Sequence, residues 1–206
     1  KDRTVYKKKM LQAKQDYEKT PTKALEKEIA RCNNIQMARK IQLNSAYGAI
    51  GNQYFRYYKL ANAEAITLSG QVSIRWIENR MNGYLNKLLQ TEGEDYVIAS
   101  DTDSIYLNMG PLVNKFFSAK SGDKTAIVKI LDQICEDKLE PFIEQSYTKL
   151  ADYVQAYEQK MIMKRENIAE RGIWTAKKRY ILNVWNSEGV QYTEPKLKMM
   201  GIEAVK

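Results

Sequence analysis

Residues 96–106 read YVIASDTDSIY. Two apolar runs, YVIAS and SIYLNM, are separated by a minimal turn, and this predicts a β-hairpin over 96–109. Two acids, Asp101 and Asp103, fall at its tip. Charge at the end of a buried strand is costly unless something neutralises it. Residues i and i+2 of a strand share a face, so two such carboxylates can converge, and converging carboxylates repel unless a cation joins them. A D-x-D at a hairpin tip is also ordinary turn chemistry, because Asp bonds its own backbone. The surrounding sequence has to decide between these readings.

Before the hairpin, KDRTVYKKKMLQAKQDYEKT is rich in helix formers and meets no Gly or Pro until Pro21. Thr20-Pro21 reads as an N-cap and first turn, predicting a second helix from Pro21 to Tyr47 that stops at Gly48. AIGNQYFRYYK reads as a turn followed by a short aromatic extended segment. Ile66, Gly70, Ile74, Ile77, Met81 and Leu85 recur near helical spacing and predict a long helix over 62–90. After the hairpin, 111–151 reads as helix in two pieces broken at Pro141. From 158 onward, QKMIMKREN, GIWTAKKRYILNVW and VQYTEP alternate and are rich in aromatic and β-branched residues, with NSEG at 186–189 as a hairpin turn. The expected fold class is α+β: an antiparallel sheet with packed helices, and a projecting helical hairpin.

Composition narrows the chemistry. The 206 residues contain no histidine, which removes Ser-His-Asp and Cys-His catalysis and most zinc sites. Any metal would be held by carboxylates and carbonyls, as magnesium, manganese and calcium are. The two cysteines, Cys32 and Cys135, are far apart and suit a reducing compartment. No apolar run approaches a membrane span, and the start carries no signal-peptide pattern. The net charge of +8 is unevenly spread. Residues 1–48 carry 12 Lys and Arg against 5 Asp and Glu, 49–159 carry 11 against 15, and 160–206 carry 10 against 5. Basic segments flanking an acidic middle suit a polyanion bridged by a divalent cation. The plainer reading is a soluble, basic protein.

Two further motifs stand out. In KIQLNSAYG, residues 40–48, helical spacing puts Lys40, Asn44, Tyr47 and Gly48 on one stripe. A cation, an amide, a phenol and a bare backbone fit a nucleotide better than a core; a solvated face with an incidental Tyr is the alternative. In WTAKKRY, residues 174–180, a strand would send Lys178 and Tyr180 one way and Lys177 and Arg179 the other. Cations interleaved with aromatics fit phosphate contact with base or sugar packing. An exposed basic edge strand that blocks aggregation is the alternative.

DTDS at 101–104, KIQLNSAYG at 40–48 and KKRY at 177–180 resemble three signature motifs of family B DNA polymerases. LNSAYGAIGNQYFRYY, NAEAIT and EPKLKMMG resemble the T4-like bacteriophage replicative type in particular. The resemblance covers essentially the whole chain. It implies a fingers helical hairpin over 1–52 and a partial palm over 53–206, with thumb, exonuclease and N-terminal domains lying outside this stretch. It implies metal ligation by Asp103 and Asp101, with Glu166 as a third nearby acid, and Mg²⁺ (or Mn²⁺) as the cofactor, two ions in the intact enzyme. Arg3, Lys7 and Lys40 would grip the triphosphate of a dNTP, and Asn44, Tyr47 and Gly48 would face the nucleotide. Lys177, Lys178, Arg179 and Tyr180 would hold primer–template DNA, with Lys196 and Lys198 as further DNA-binding candidates. Implied partners of the intact enzyme are a sliding clamp and replisome proteins, with no membrane, in the cytoplasm of a bacterial host. Two features depart from the family pattern. Ala99-Ser100 stands where the family has Tyr-Gly, and the upstream D-x-x-S-L-Y-P-S motif with the other metal-ligating aspartate does not occur here. These residues alone are therefore expected to bind Mg²⁺ weakly and not to polymerise. The rival classes are a non-catalytic basic nucleic-acid-binding module and another palm-bearing nucleotidyl transferase, such as a reverse transcriptase or cyclase. The 40–48 stripe and KKRY argue against the second.

Overall fold

The expected hairpin forms as β1 (Val97–Asp101) and β2 (Ser104–Leu107), antiparallel, with Asp101 opposite Ser104. A computed structural model describes residues 2–117 and 123–202. Elsewhere in chain order lie α1 (Asp2–Lys19), α2 (Lys23–Ile50), α3 (Leu60–Leu89), α4 (Gly110–Phe117), α5 (Lys124–Ile134) and α6 (Glu140–Tyr153), then β3 (Asn167–Ala176), β4 (Arg179–Ser187) and β5 (Val190–Met200). Helices and antiparallel strands make the fold α+β, as expected. The chain divides into two compact units, one of residues 1–68 with 187–194, the other of residues 69–186 with 195–206.

In the first unit α1 and α2 form an antiparallel helical hairpin. The second helix starts later than expected. Its N-cap is Thr22, whose hydroxyl accepts from the Leu25 amide, so Pro21 lies in the connection. It also ends later: the helix runs through Gly48 and is capped at Gly51, because Ala49 and Ile50 still find helical partners. The segment expected to be extended instead folds as successive turns, with Phe55 N–H donating to Asn52 and Tyr58 N–H to Phe55. This leaves Tyr54, Tyr57 and Tyr58 exposed.

In the second unit the core is laid on α3. Ile77, Met81 and Leu85 are fully buried at four-residue spacing, against Val97, Leu139, Ile143 and Tyr147 on one side and Tyr96, Leu112 and Leu131 on the other. Each such side chain contributes roughly 1.5–3 kcal/mol by leaving water. The stripe does not extend back as expected: Ile66 is half exposed.

Asn82 and Asn86, one turn apart on α3, tie down the entry to β1. Asn82 Oδ1 accepts from the Tyr96 and Val97 amides at 2.9 and 3.2 Å, and Asn86 bonds both backbone groups of Glu94. The helical region after β2 is not broken at Pro141, which lies in the first turn of α6. Instead a π-helical turn, Cys135–Leu139, joins α5 to α6. A proline lacks the amide for an i−4 bond and crowds that carbonyl, and the wider turn just before it relieves both demands. The strands β3, β4 and β5 form a separate antiparallel sheet in that order. On β4, Tyr180, Leu182, Val184 and Asn186 are buried in strict alternation. The NSEG turn forms as expected, with Glu188 and Gly189 both at positive φ (52° and 90°).

Candidate active site

Two residues make the β1–β2 connection, Thr102 and Asp103. Thr102 has φ 53°, a region that a β-branched side chain rarely enters. The Asp103 amide donates back to the Asp101 carbonyl at 2.6 Å, and Thr102 Oγ1 donates to Asp101 Oδ1 at 3.0 Å. Backbone strain of this kind costs on the order of 1–3 kcal/mol and clusters at functional sites. Turn chemistry is therefore present, in a strained form.

The second hairpin meets this one. Lys177 and Lys178 form the corner between β3 and β4, with Lys178 at φ 62°. The expected strand-like alternation through 177–180 therefore fails: the chain reverses at the two lysines, and regular strand resumes at Arg179. The corner nonetheless brings KKRY beside the acids. A groove of about 240 Å³ is lined by Ala99, Ser100 and Asp101 from β1, Tyr106 from β2, and Trp174, Lys177, Lys178 and Tyr180 from the other hairpin. Tyr106 packs edge-on against Trp174 and Tyr180, with centroids 5.2 and 5.6 Å apart. Burial, together with the neighbouring Tyr180 phenol, raises the Tyr106 phenol well above its usual range.

The predicted acids are not equivalent. Asp101 is half-buried and lines the groove, whereas Asp103 is exposed at the tip and is not among the lining residues. Burial raises the Tyr147 phenol on α6, and the charge of Asp103 adds to the rise. Glu166 is exposed, lies within electrostatic reach of Tyr106, and pairs with Lys198 at 3.8 Å. Among the described residues no three of His, Cys, Asp and Glu come together as a metal-holding cluster. Two hard carboxylates at a hairpin tip fit a divalent oxygen-seeking cation in kind, and Asp101 and Asp103 are the residues that would hold it. Lys196 is exposed on β5, as are Lys177, Lys178 and Arg179 at their corner.

The other candidates lie in the first unit. Lys40, Asn44, Tyr47 and Gly48 are all exposed along the last turns of α2, with open space over Gly48. An ion pair between Asp2 and Arg39 at 3.9 Å sets the start of α1 level with this stretch, which brings Arg3 to the level of Lys40. Arg3 is half-buried, with Nε shielded and unbonded. Lys7 pairs with Glu188 of the β4–β5 turn at 2.7 Å.

Residues 2–206 match the family model described as DNA polymerase family B. The chain belongs to DNA polymerase family B. It is 40% identical over 208 aligned positions to the DNA-directed DNA polymerase of Escherichia phage RB69, a match covering 94% of this chain and 23% of that protein. It is 42% identical over 186 positions to the DNA-directed DNA polymerase of Enterobacteria phage T4, covering 86% of this chain and 21% of that one. The chain thus spans less than a quarter of the length of these family B relatives. Among the described residues no helix is long and apolar enough to cross a membrane.

Motif reading missed the residues that brace the segments around the candidate site. Arg165, beside Glu166, bonds Asp132 on α5 and, at 2.9 Å, Asn186 on β4, which in turn donates to Asp132 at 3.0 Å. Asn186 was detectable in principle, as a polar residue in phase with Tyr180, Leu182 and Val184. Asn82 and Asn86 gave no comparable signal.

Proposed function

We propose that this chain supplies the fingers (1–52) and part of the palm (53–206) of a DNA-directed DNA polymerase. The reaction is template-directed addition of a dNTP to a primer 3′-hydroxyl, which attacks the α-phosphate and displaces pyrophosphate. The observation that carries this reading is the shared groove, where Asp101 and the Lys177–Tyr180 corner meet although their motifs are far apart in sequence.

Asp101 and Asp103 present acceptor oxygens at a strained tip, the kind of donor set that holds Mg²⁺ or Mn²⁺. Two such ions, when bound, neutralise charge on the reacting phosphate and orient its oxygens. Glu166 is the nearby third acid. Lys177, Lys178 and Arg179 offer donors to primer–template phosphates, Tyr180 packs beside them, and Lys196 and Lys198 extend the basic surface. Arg3, Lys7 and Lys40 meet the triphosphate, a use of positioned cations common in phosphoryl transfer. Asn44, Tyr47 and the open backbone at Gly48 face the nucleotide. A sliding clamp and replisome proteins are the proposed partners, and the cytoplasm of an infected bacterium the setting.

The test is Asp103→Ala in the native protein that carries this chain at its full length. Primer extension should fall at least about a thousandfold, as expected when a phosphoryl-transfer site loses a charge-neutralising group, while equilibrium binding of primer–template stays within about threefold. Unchanged extension would overturn the assignment.

A further inference from the structure

Resting on the polymerase reading above, we propose that Arg165 is a positioning residue for Glu166, and that the π-turn between α5 and α6 aligns the two carboxylates that hold it. Glu166 is not placed by its own side chain. That side chain is 65% exposed and meets Lys198 at 3.8 Å and the Asn167 side-chain amide at 3.5 Å. The residue before it is fixed at both ends. The Arg165 backbone amide donates to Glu140 Oε1 at 3.2 Å. Its guanidinium donates through Nη1 to Asn186 at 2.9 Å and through Nη2 to Asp132. Asn186 closes the set by donating to Asp132 at 3.0 Å. Side chains from α5, α6 and β4 therefore converge on the residue that leads into Glu166.

The π-turn makes this convergence possible. Each α-helical residue turns about 100°. The step from Asp132 to Glu140 is eight residues, so in an unbroken α-helix the two would point about 80° apart. The wider turn at Cys135–Leu139 takes up one extra residue and brings them to within about 20° of each other. Both then face Arg165.

Stability does not account for the set. Apolar side chains of similar volume serve a buried site as well or better. Arg165 Nε is also shielded without a partner, which adds to the cost. A guanidinium, however, presents its donors in a fixed fork. What the set supplies is direction: it fixes the backbone that aims Glu166. Groups that orient the acids of a cation site typically carry about 10–100-fold in metal affinity or activity.

Arg165→Met with Asp132→Leu, compared with Glu166→Gln, tests this in the native protein carrying the chain at its full length. The apolar pair keeps the packing and removes the direction, so it should unfold nearer to wild type than Arg165→Ala does. Its kcat for nucleotide incorporation should fall about tenfold, and the Mg²⁺ concentration giving half the maximal rate should rise about tenfold. The KM for dNTP should stay near wild type. Arg165→Lys, which keeps the charge and loses the fork, should raise the Mg²⁺ requirement in the same direction. Adding Glu166→Gln to the apolar pair should make it no slower than Glu166→Gln alone, because both act through one carboxylate. Hydrogen exchange supplies a readout independent of activity: the apolar pair should speed amide exchange at 164–168 about tenfold while leaving α3 protected. Wild-type rate and Mg²⁺ requirement in the apolar pair, losses that multiply when Glu166→Gln is added, or unchanged exchange at 164–168 overturns the proposal. Wild-type rate in Glu166→Gln overturns it too, by removing Glu166 from the reaction. A wild-type protein that incorporates no nucleotide overturns the polymerase reading instead, and the exchange measurement then decides the anchoring alone.

Discussion

Gly201 holds its backbone against Lys178: a Cβ at 201 would lie 2.5 Å from the Lys178 carbonyl oxygen. Gly201 also has φ 62°, where an L side chain costs about 1–2 kcal/mol. Any side chain there strains its own backbone and displaces the lysine corner. Gly201→Ala should weaken primer–template binding about five- to tenfold, matching a 1–1.4 kcal/mol displacement of the corner. Fluorescence anisotropy against salt separates this from lost charge. Lys178→Ala should lower the salt slope by about one, and Gly201→Ala should leave it unchanged.

The Asn82 side chain is the support on which Asp101 rests. Its Oδ1 accepts the first two amides of the β1 entry, and its Nδ2 donates to Asp95 at 2.8 Å. Asn82→Ala leaves the Tyr96 amide, in a buried residue, without its acceptor, at a cost of about 2–3 kcal/mol. Asn82→Asp keeps the acceptor but turns the bond to Asp95 into a contact between two carboxylates, so it should recover only part of the loss. Urea unfolding followed by tryptophan fluorescence reads the second unit alone, because Trp76, Trp174 and Trp185 all lie in it.

Arg165 is a larger commitment. Its side chain and that of Asp132 are 9% and 21% exposed, and Asn186 completes the set. Removing one partner strands a charge in a poorly solvated place, so Arg165→Ala should cost about 3–5 kcal/mol. Arg165→Met with Asp132→Leu should regain much of that loss. If the double variant is as unstable as Arg165→Ala, the pairing is not what stabilises the segment carrying Glu166. The same urea experiment decides this.

What the sequence disclosed follows from the range of the forces involved. The DTDS hairpin, the core half of α3 and the NSEG turn are local: periodicity and turn chemistry specify them within ten or twenty residues. The KKRY corner was misread as strand because cations between aromatics satisfy period two as well as they satisfy a turn, and only a positive φ at Lys178 distinguishes them. The helix expected to break at Pro141 survives because a π-turn accommodates the ring, a remedy that no residue pattern announces. The Arg165–Asp132–Asn186 set spans 33 and 54 residues of sequence, beyond any periodicity. The acids and basic motifs were legible because their chemistry is costly to carry without a use. Their supports were not, because Asn and Arg are ordinary surface residues until the fold buries them.

Cys135 gives the second unit an alkaline limit. Burial pushes its thiol up to about 11, with Asp132, Glu140 and Glu136 adding to the rise and Arg165 opposing it. The folded-state value lies above the ordinary 9.0, so the stabilisation is complete below pH 9 and is lost as pH climbs through 11. The loss is about 2–3 kcal/mol for a shift of this size. Cys135→Ala should flatten that part of the stability profile relative to wild type. Parallel profiles for the two proteins between pH 9 and 11 would contradict the burial argument.

The last prediction concerns the 206 residues by themselves. Asp101 and Asp103 share a tip, yet no third Asp, Glu, His or Cys joins them among the described residues to form a metal-holding cluster. Two carboxylates, one of them exposed, hold a divalent cation only weakly, with a dissociation constant on the order of millimolar. Transfer between phosphate esters needs charge neutralised on both the entering and the leaving oxygen. The chain in isolation should therefore take up Mg²⁺ weakly in a calorimetric titration and extend no primer, even at 10-fold excess over that constant, about 10 mM. Duplex DNA should still compete with salt for its Lys177–Lys178 corner, because phosphate contact needs only the cations. Robust, metal-dependent incorporation by the isolated chain would show that the acids present suffice.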